Sequence, residues 1–253
     1  MVIFIIILVF VSILFIRYKL KNLVMIRRFK DNNVIVFGRK GKGKDLLFQY
    51  VIMKRKKENY YANIDYGFKY HHCDVKDVSL FPNDFENVLN NKIVKLKEQP
   101  FPDGEDVYLS DVGNALPSQY DYLLHKYYKG NPLYYSLSRH ICANNVHCNA
   151  QNMERIWKAL REQADTYIHV YKKTRIFGFI KVHYVLYDKY QTALNEKKPL
   201  KVKLRKRLKE QKAIDESNDG YMMAWHFWIR TKKIKYDTRA FRKVFIEQNS
   251  VDA

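Results

Sequence analysis

The chain has 253 residues, 47% apolar and 15% aromatic, enough to build the core of one sizeable domain with an extension. Its 46 Lys and Arg stand against 26 Asp and Glu, a formal charge of +20 that sets it apart from an ordinary soluble enzyme and points to a polyanion: nucleic acid or an anionic membrane surface. Three scattered cysteines exclude a disulfide framework and fit a reducing compartment.

The N-terminus is apolar from Val2 to Ile16, with Ser12 as the single polar residue. The run is shorter than the roughly 20 residues that span a bilayer comfortably, but Arg17 and Lys19 can snorkel and Tyr18 suits the interface. The positive charges, Arg17, Lys19, Lys21, Arg27 and Arg28, all follow the run. A cleaved signal peptide would place a basic region first. The expectation is a single-pass anchor over 1–20 and a basic juxtamembrane linker over 21–32. The remainder then lies in the cytoplasm.

Asn33 to Phe37 predicts a buried strand running into a glycine turn. The helix after Asp45 carries Leu46, Leu47, Tyr50 and Val51 on one face and basic residues at its end. Tyr60 to Gly67 reads as a second strand, and Pro100 and Pro102 mark a loop. Asp106 to Asp111 is a third strand, broken by Gly113. "QYDYLLHKYY" predicts a helix closed by Gly130 and Pro132. Asn144 to Gln151 is a short strand, "MERIWKALREQA" a helix, and "TYIHVYKK" and "RIFGFIKVHYVLY" further strands. Strands alternating with helices predict a parallel α/β sheet over 33–193. A basic extension follows over 194–253, with its strongest charge at Lys197 to Lys212. Within it "YMMAWHFWIR" is a candidate strand, and Asp237 or Thr238 a helix cap.

Between the first strand and helix lies "GRKGKGKD". Gly38, Gly43 and Lys44 match the spacing Gly-x-x-x-x-Gly-Lys of a phosphate-binding loop. Backbone N–H groups there wrap phosphate oxygens, so bulky side chains are excluded where the chain approaches closely. The expected nucleotide-binding set is Gly38, Arg39, Lys40, Gly41, Lys42, Gly43, Lys44, Asp45 and Leu46, with ATP and magnesium as ligands. Asp45 stands where the motif has Ser or Thr. A carboxylate there can hold magnesium itself, with Arg39, Lys40 and Lys42 offsetting its charge. Asp111, closing "VYLSD", is the second expected magnesium ligand. The glutamate that commonly follows is replaced by Val112, and neither Asp106 nor Asp121 is selected by spacing as a substitute. Gln151 ends the next strand, where a polar side chain can touch the terminal phosphate or the attacking water. Arg139 is read as a cation facing a phosphate, within the chain or across a subunit interface. His140, Cys142, His147 and Cys148 match no zinc pattern, and a strand sends His147 and Cys148 to opposite faces.

The order of phosphate loop, "VYLSDVGNALPSQYD" and "LSRHICANNVHCNAQNMERIWKALREQADTYIHVYK" resembles the Zot-like assembly ATPases of filamentous phages, of the FtsK–HerA group. The likeness covers Val34 to Lys172. It rests on Asp111, Pro117, Arg139 and His140, Gln151, and Arg155 or Arg161. The resemblance implies a three-layer, RecA/FtsK-like P-loop fold. It also implies a membrane-anchored, hexameric ATPase that packages or moves phage DNA, or drives virion assembly with coat or other assembly proteins. In this chain Asp45 replaces Ser or Thr, Val112 replaces glutamate, and the anchor is N-terminal. The alternative reading is a catalytically degenerate, membrane-tethered scaffold that binds DNA or lipid. A nucleotide kinase or small GTPase fits the anchor and charge poorly.

Overall fold

The apolar N-terminus forms a 30-residue helix, α1 (Val2–Asp31). Its first half is exposed along every face, while Asn22, Met25 and Phe29 in its second half are buried against the rest of the chain. Residues 21–31 are therefore not a linker: they continue the helix and pack. The structure, a computed structural model, describes residues 2–55, 59–80, 101–188 and 222–234.

The first strand, β1 (Val34–Phe37), is buried along its whole length. Then come α2 (Lys44–Arg55), β2 (Tyr61–Ala62), β3 (His71–His72), β4 (Val107–Leu109) and α3 (Val112–Ala115). They are followed by α4 (Asp121–Tyr127), α5 (Gly130–Ile141), β5 (Val146–Ala150) and α6 (Lys158–Arg161), and last by β6 (Thr166–Ile176), β7 (Phe179–Tyr187) and β8 (Met222–Arg230). Among the described residues the eight strands form one sheet in the order β3-β2-β4-β5-β1-β6-β7-β8. The pairs from β3 to β6 are parallel. β6, β7 and β8 are antiparallel, so the sheet is mixed rather than wholly parallel.

Alternating side chains feed two cores, one on each face. Val34, Val36 and Ile168 pack with α1 and α2 on one side. Ile35, Phe37, Cys148 and Tyr167 pack with α3, α5 and α6 on the other. This is the three-layer α/β fold expected from the sequence. The free edge of β8 is covered by α1, where the Trp228 N–H donates to Tyr18 Oη at 3.1 Å.

Several local readings change. Gly130 and Pro132 open α5 instead of closing the preceding helix, because proline suits a first helical turn. "MERIWKALREQA" is split into a single turn at Met153–Arg155 and the one-turn α6. Ile156 and Trp157 are fully buried outside the helical conformation, Ile156 extended and bridged to Pro117, so core packing overrides helix propensity. "RIFGFIKVHYVLY" is not one strand, because it turns at Phe177-Gly178. β8 joins the sheet, so the extension over 194–253 supplies part of the domain. Lys197 to Lys212, the candidate cap at Asp237 or Thr238, and Pro100 lie outside the described residues.

Candidate nucleotide-binding site

β1 enters the loop at Gly38, whose φ is +150°; a Cβ there would stand 2.1 Å from the Val170 carbonyl oxygen of β6. No side chain fits against that backbone. Gly41 and Gly43 also have positive φ, of 76° and 103°. The loop then becomes the first turn of α2, whose N–H groups lack intrahelical acceptors and favour an anion. Arg39 and Lys40 are exposed. Lys44 is only 7% exposed, and its ammonium donates to the Gly38 carbonyl at 3.0 Å. Burial pulls its pKa down, while Asp45 and Asp111 act to hold the charge.

Asp45 Oδ1 accepts from Ser110 Oγ at 2.7 Å and from Asn149 Nδ2 at 2.8 Å. Asn149 also accepts the Asp111 N–H on Oδ1 at 3.0 Å. Ser110 is clamped from its other side: Asn63 Oδ1 accepts its N–H at 2.7 Å and Asn63 Nδ2 donates to its carbonyl at 2.8 Å. Asp111 sits in the left-handed region at φ 55°, a conformation that Asp tolerates better than most residues. Its Oδ2 accepts from Asn114 Nδ2 at 2.6 Å. Burial raises the Asp111 pKa above the usual carboxylate value, Asp45 adds to that, and Lys44, Arg155 and Asn114 oppose it.

The strand order assembles this set. β5 lies between β1 and β4, so Asn149 and Gln151 on β5 and its end come between the loop and Asp111. Gln151 follows Ala150, whose carbonyl accepts the Gly38 N–H at 3.3 Å, and so stands at the loop mouth. Arg155 enters the site's field through a close approach: a Cβ on Gly113 would meet Arg155 Cβ at 2.9 Å. Of the two candidate arginines, Arg155 is thus the one beside Asp111. Arg161 instead donates to the Met153 carbonyl.

Arg139 is not at the loop of its own chain. It donates to the Asp31 carbonyl at 2.8 Å and pairs with Asp165 at 3.2 Å, where β1 and β6 begin rather than end. The phosphate-facing role read for Arg139 is therefore corrected within the chain. Asp106 forms a buried ion pair with Arg55 at that same far edge, and Asp121 accepts from Trp157 Nε1. Neither replaces the glutamate missing at Val112, which is itself buried. His147 and Cys148 do face opposite cores: the His147 ring meets Phe29 and Tyr108, while Cys148 Sγ lies 3.2 Å from Tyr135 Oη.

The donor chemistry fits magnesium. Asp45 takes both of its hydrogen bonds on Oδ1, no described residue donates to Oδ2, and Asp111 offers a second hard oxygen ligand within the same field. Sequence reasoning missed Ser110, Asn149 and Asn63. One signal was present: Asn149 lies two residues before Gln151, on the same face of its strand.

No protein-family profile and no curated protein matches the sequence. Among solved structures, the chain is similar to the genome packaging NTPase B204 from Sulfolobus turreted icosahedral virus 2 in complex with ATP-gammaS. The identity is 15% and the TM-score 0.40, covering 64% of this chain and 94% of that one. It is also similar to the N-terminal domain of zonular occludens toxin from Neisseria meningitidis, at 8% identity and a TM-score of 0.35, covering 83% of this chain and 97% of that one. That second protein belongs to the family the motif order resembles. At these scores the likeness transfers no activity, and function rests on the site's own geometry.

Proposed function

We propose that the chain is a membrane-anchored P-loop ATPase of the Zot-like type, working on phage DNA packaging or translocation or on virion assembly and export. The observation that carries the ATPase reading is the convergence of Gly38, Lys44, Asp45 and Asp111 at one sheet edge, with β5 inserted between their strands. The loop N–H groups and Lys44 bind the triphosphate, and Lys44 exchanges the Gly38 carbonyl for phosphate oxygens. Asp45 and Asp111 would hold magnesium, which when bound neutralises charge on the terminal phosphates. Ser110 and Asn149 fix the Asp45 carboxylate, and Asn149 fixes the Asp111 backbone. Gln151 would orient a water at the loop mouth, and Arg155 supplies positive charge beside Asp111. Oligomerisation, with six subunits in the resembled family, would bring a neighbour's Arg139 to bear from outside the chain. DNA, a phage genome in this reading, suits the +20 charge. In this reading the protein sits at the host inner membrane, supported by the exposed apolar half of α1, a helix long and apolar enough to cross a bilayer.

One observation favours the scaffold alternative: among the described residues no carboxylate follows Asp111 where a water-activating base is expected. The test uses the full chain in detergent or bilayers, because Tyr18 and Met25 pack into the domain and truncation would damage it. Magnesium-dependent ATP hydrolysis is measured with and without DNA, beside Lys44→Ala and Asp45→Ser. Turnover abolished by Lys44→Ala supports the ATPase. DNA binding that ignores ATP, with no turnover at any protein concentration, supports the scaffold.

A further inference from the structure

The turn between β6 and β7 is Phe177-Gly178, with φ of 41° and 75°. Both values are positive, as in a two-residue type I′ hairpin turn, where Asn, Asp or Gly is favoured at the first position. Phe177 is strained there, and its ring is 98% exposed. Ile176 and Phe179 beside it are also exposed, at 39% and 37%. A strained, fully exposed aromatic ring gains nothing from the core, which points to a partner outside it.

The surroundings say which partner. Arg175 precedes the tip, and Arg230, Lys232 and Lys233 close β8 next to it, where the Thr231 N–H donates to the Gly178 carbonyl at 2.8 Å. Arg230 lies over the Phe179 ring at 5.6 Å and Lys181 over the Trp228 ring at 5.1 Å. No Asp or Glu occurs between Thr166 and Tyr187 or between Met222 and Ile234. Exposed aromatics interleaved with cations, without acidic residues, match the interface of an anionic bilayer.

The position of α1 brings the tip to that bilayer. α1 is one unbroken helix, so the domain cannot swing away from the span on a linker. The helix antiparallels β8: Tyr18 meets Trp228 and Lys21 lies over Trp225. The apolar run ends at Arg17, which puts the Tyr18–Trp228 contact at the membrane surface. Trp228 pairs with Lys181, and Lys181 with Thr174. Three further residues along β6 reach Phe177, about 10 Å towards the span at the usual strand rise. That distance matches the depth to which interfacial segments bury their apolar faces.

Resting on the reading of α1 as a span, we propose that the β6–β7 hairpin tip, with Ile176, Phe177 and Phe179 as its apolar wedge and Arg175, Arg230, Lys232 and Lys233 as its charged collar, docks into the anionic leaflet beside α1. The domain then has two membrane contacts. Gly43 packs on Val182 of the same hairpin, so the docked tip fixes the nucleotide loop beside the bilayer.

The test uses the full chain reconstituted in phosphatidylcholine vesicles containing phosphatidylglycerol and lipid nitroxides. Cys73, Cys142 and Cys148 are buried, so an introduced cysteine is labelled selectively with an environment-sensitive fluorophore. Ile176→Cys reports on the tip, Val9→Cys on the span and Glu162→Cys on a site away from the tip. We expect shallow nitroxides to quench the tip label and deep ones the span label, with Glu162→Cys unaffected. Each of Arg230→Gln, Lys232→Gln and Lys233→Gln should weaken docking about fivefold. Phe177→Asn should reduce tip quenching yet raise the melting temperature in detergent, because it relieves turn strain without a membrane present. A quenched span label with a tip label as unquenched as Glu162→Cys overturns the docking and leaves the anchor standing. An unquenched span label overturns the anchor, and this proposal with it.

Discussion

Gly38 tolerates no side chain, because any Cβ would collide with the Val170 backbone. Gly38→Ala should therefore lose nucleotide binding and lower the melting temperature together, as read by a fluorescent ATP analogue and by thermal unfolding. Asp111 behaves in the opposite sense. Its folded pKa is raised, mainly by burial, so its contribution to stability is complete below the unfolded carboxylate value and is lost as pH rises through the raised one. At neutral pH the ionised carboxylate costs the nucleotide-free fold some stability. Asp111→Asn should raise the melting temperature at neutral pH, shrink that gain in acid, and abolish magnesium-dependent nucleotide binding. The placement of Gly38 and Lys44 on one loop and of Asp111 just beyond β4 was legible from spacing, because it is dictated by the local chain. Ser110, Asn149 and Asn63 were not, since their bonds join three strands that the sequence does not order.

At the scale of elements, polar side chains lock the sheet to its helices. Asn33 donates to the Tyr135 carbonyl at 2.7 Å and accepts the Val146 N–H at 2.9 Å, tying β1 to α5 and β5. Arg55 at the end of α2 pairs with buried Asp106 and donates to the Phe29 carbonyl of α1. Asp106→Ala would strand the guanidinium and should cost about 3–5 kcal/mol in denaturant unfolding. Arg139→Ala removes an exposed pair with Asp165 and an exposed hydrogen bond to the Asp31 carbonyl, so it should cost about 1 kcal/mol and leave ATP affinity unchanged. If turnover nevertheless falls as that variant assembles, the residue acts on a neighbouring subunit. Ile156 and Trp157 obey tertiary packing that local propensity does not record, whereas the start of α5 at Gly130 follows the local preference of Pro132 for a first helical turn.

For the whole molecule, charge and the continuity of α1 matter most. A surplus of +20 predicts that DNA binding by the full chain weakens steeply with salt, measurable as the slope of log affinity against log salt. A flat slope would remove DNA as the polyanion and leave the membrane surface. The unbroken α1 and the antiparallel β6–β7–β8 extension set the nucleotide loop and the hairpin tip at the same end of the sheet as the apolar helix. Nucleotide exchange should thus respond to anionic lipid, as stopped-flow measurements in vesicles with and without phosphatidylglycerol would reveal.

By itself the sequence determined the apolar helix, the glycine-rich loop, the strand that leads to Asp111 and the basic surplus. Each is written in contiguous residues whose periodicity, glycine spacing or charge has a local physical meaning. Tertiary structure alone decided that β5 stands between β1 and β4, that Arg155 and not Arg139 accompanies Asp111, and that α1 grips the edge of β8. Those outcomes depend on which strands become neighbours and on how two apolar faces close over one sheet, energies summed across residues far apart in the chain.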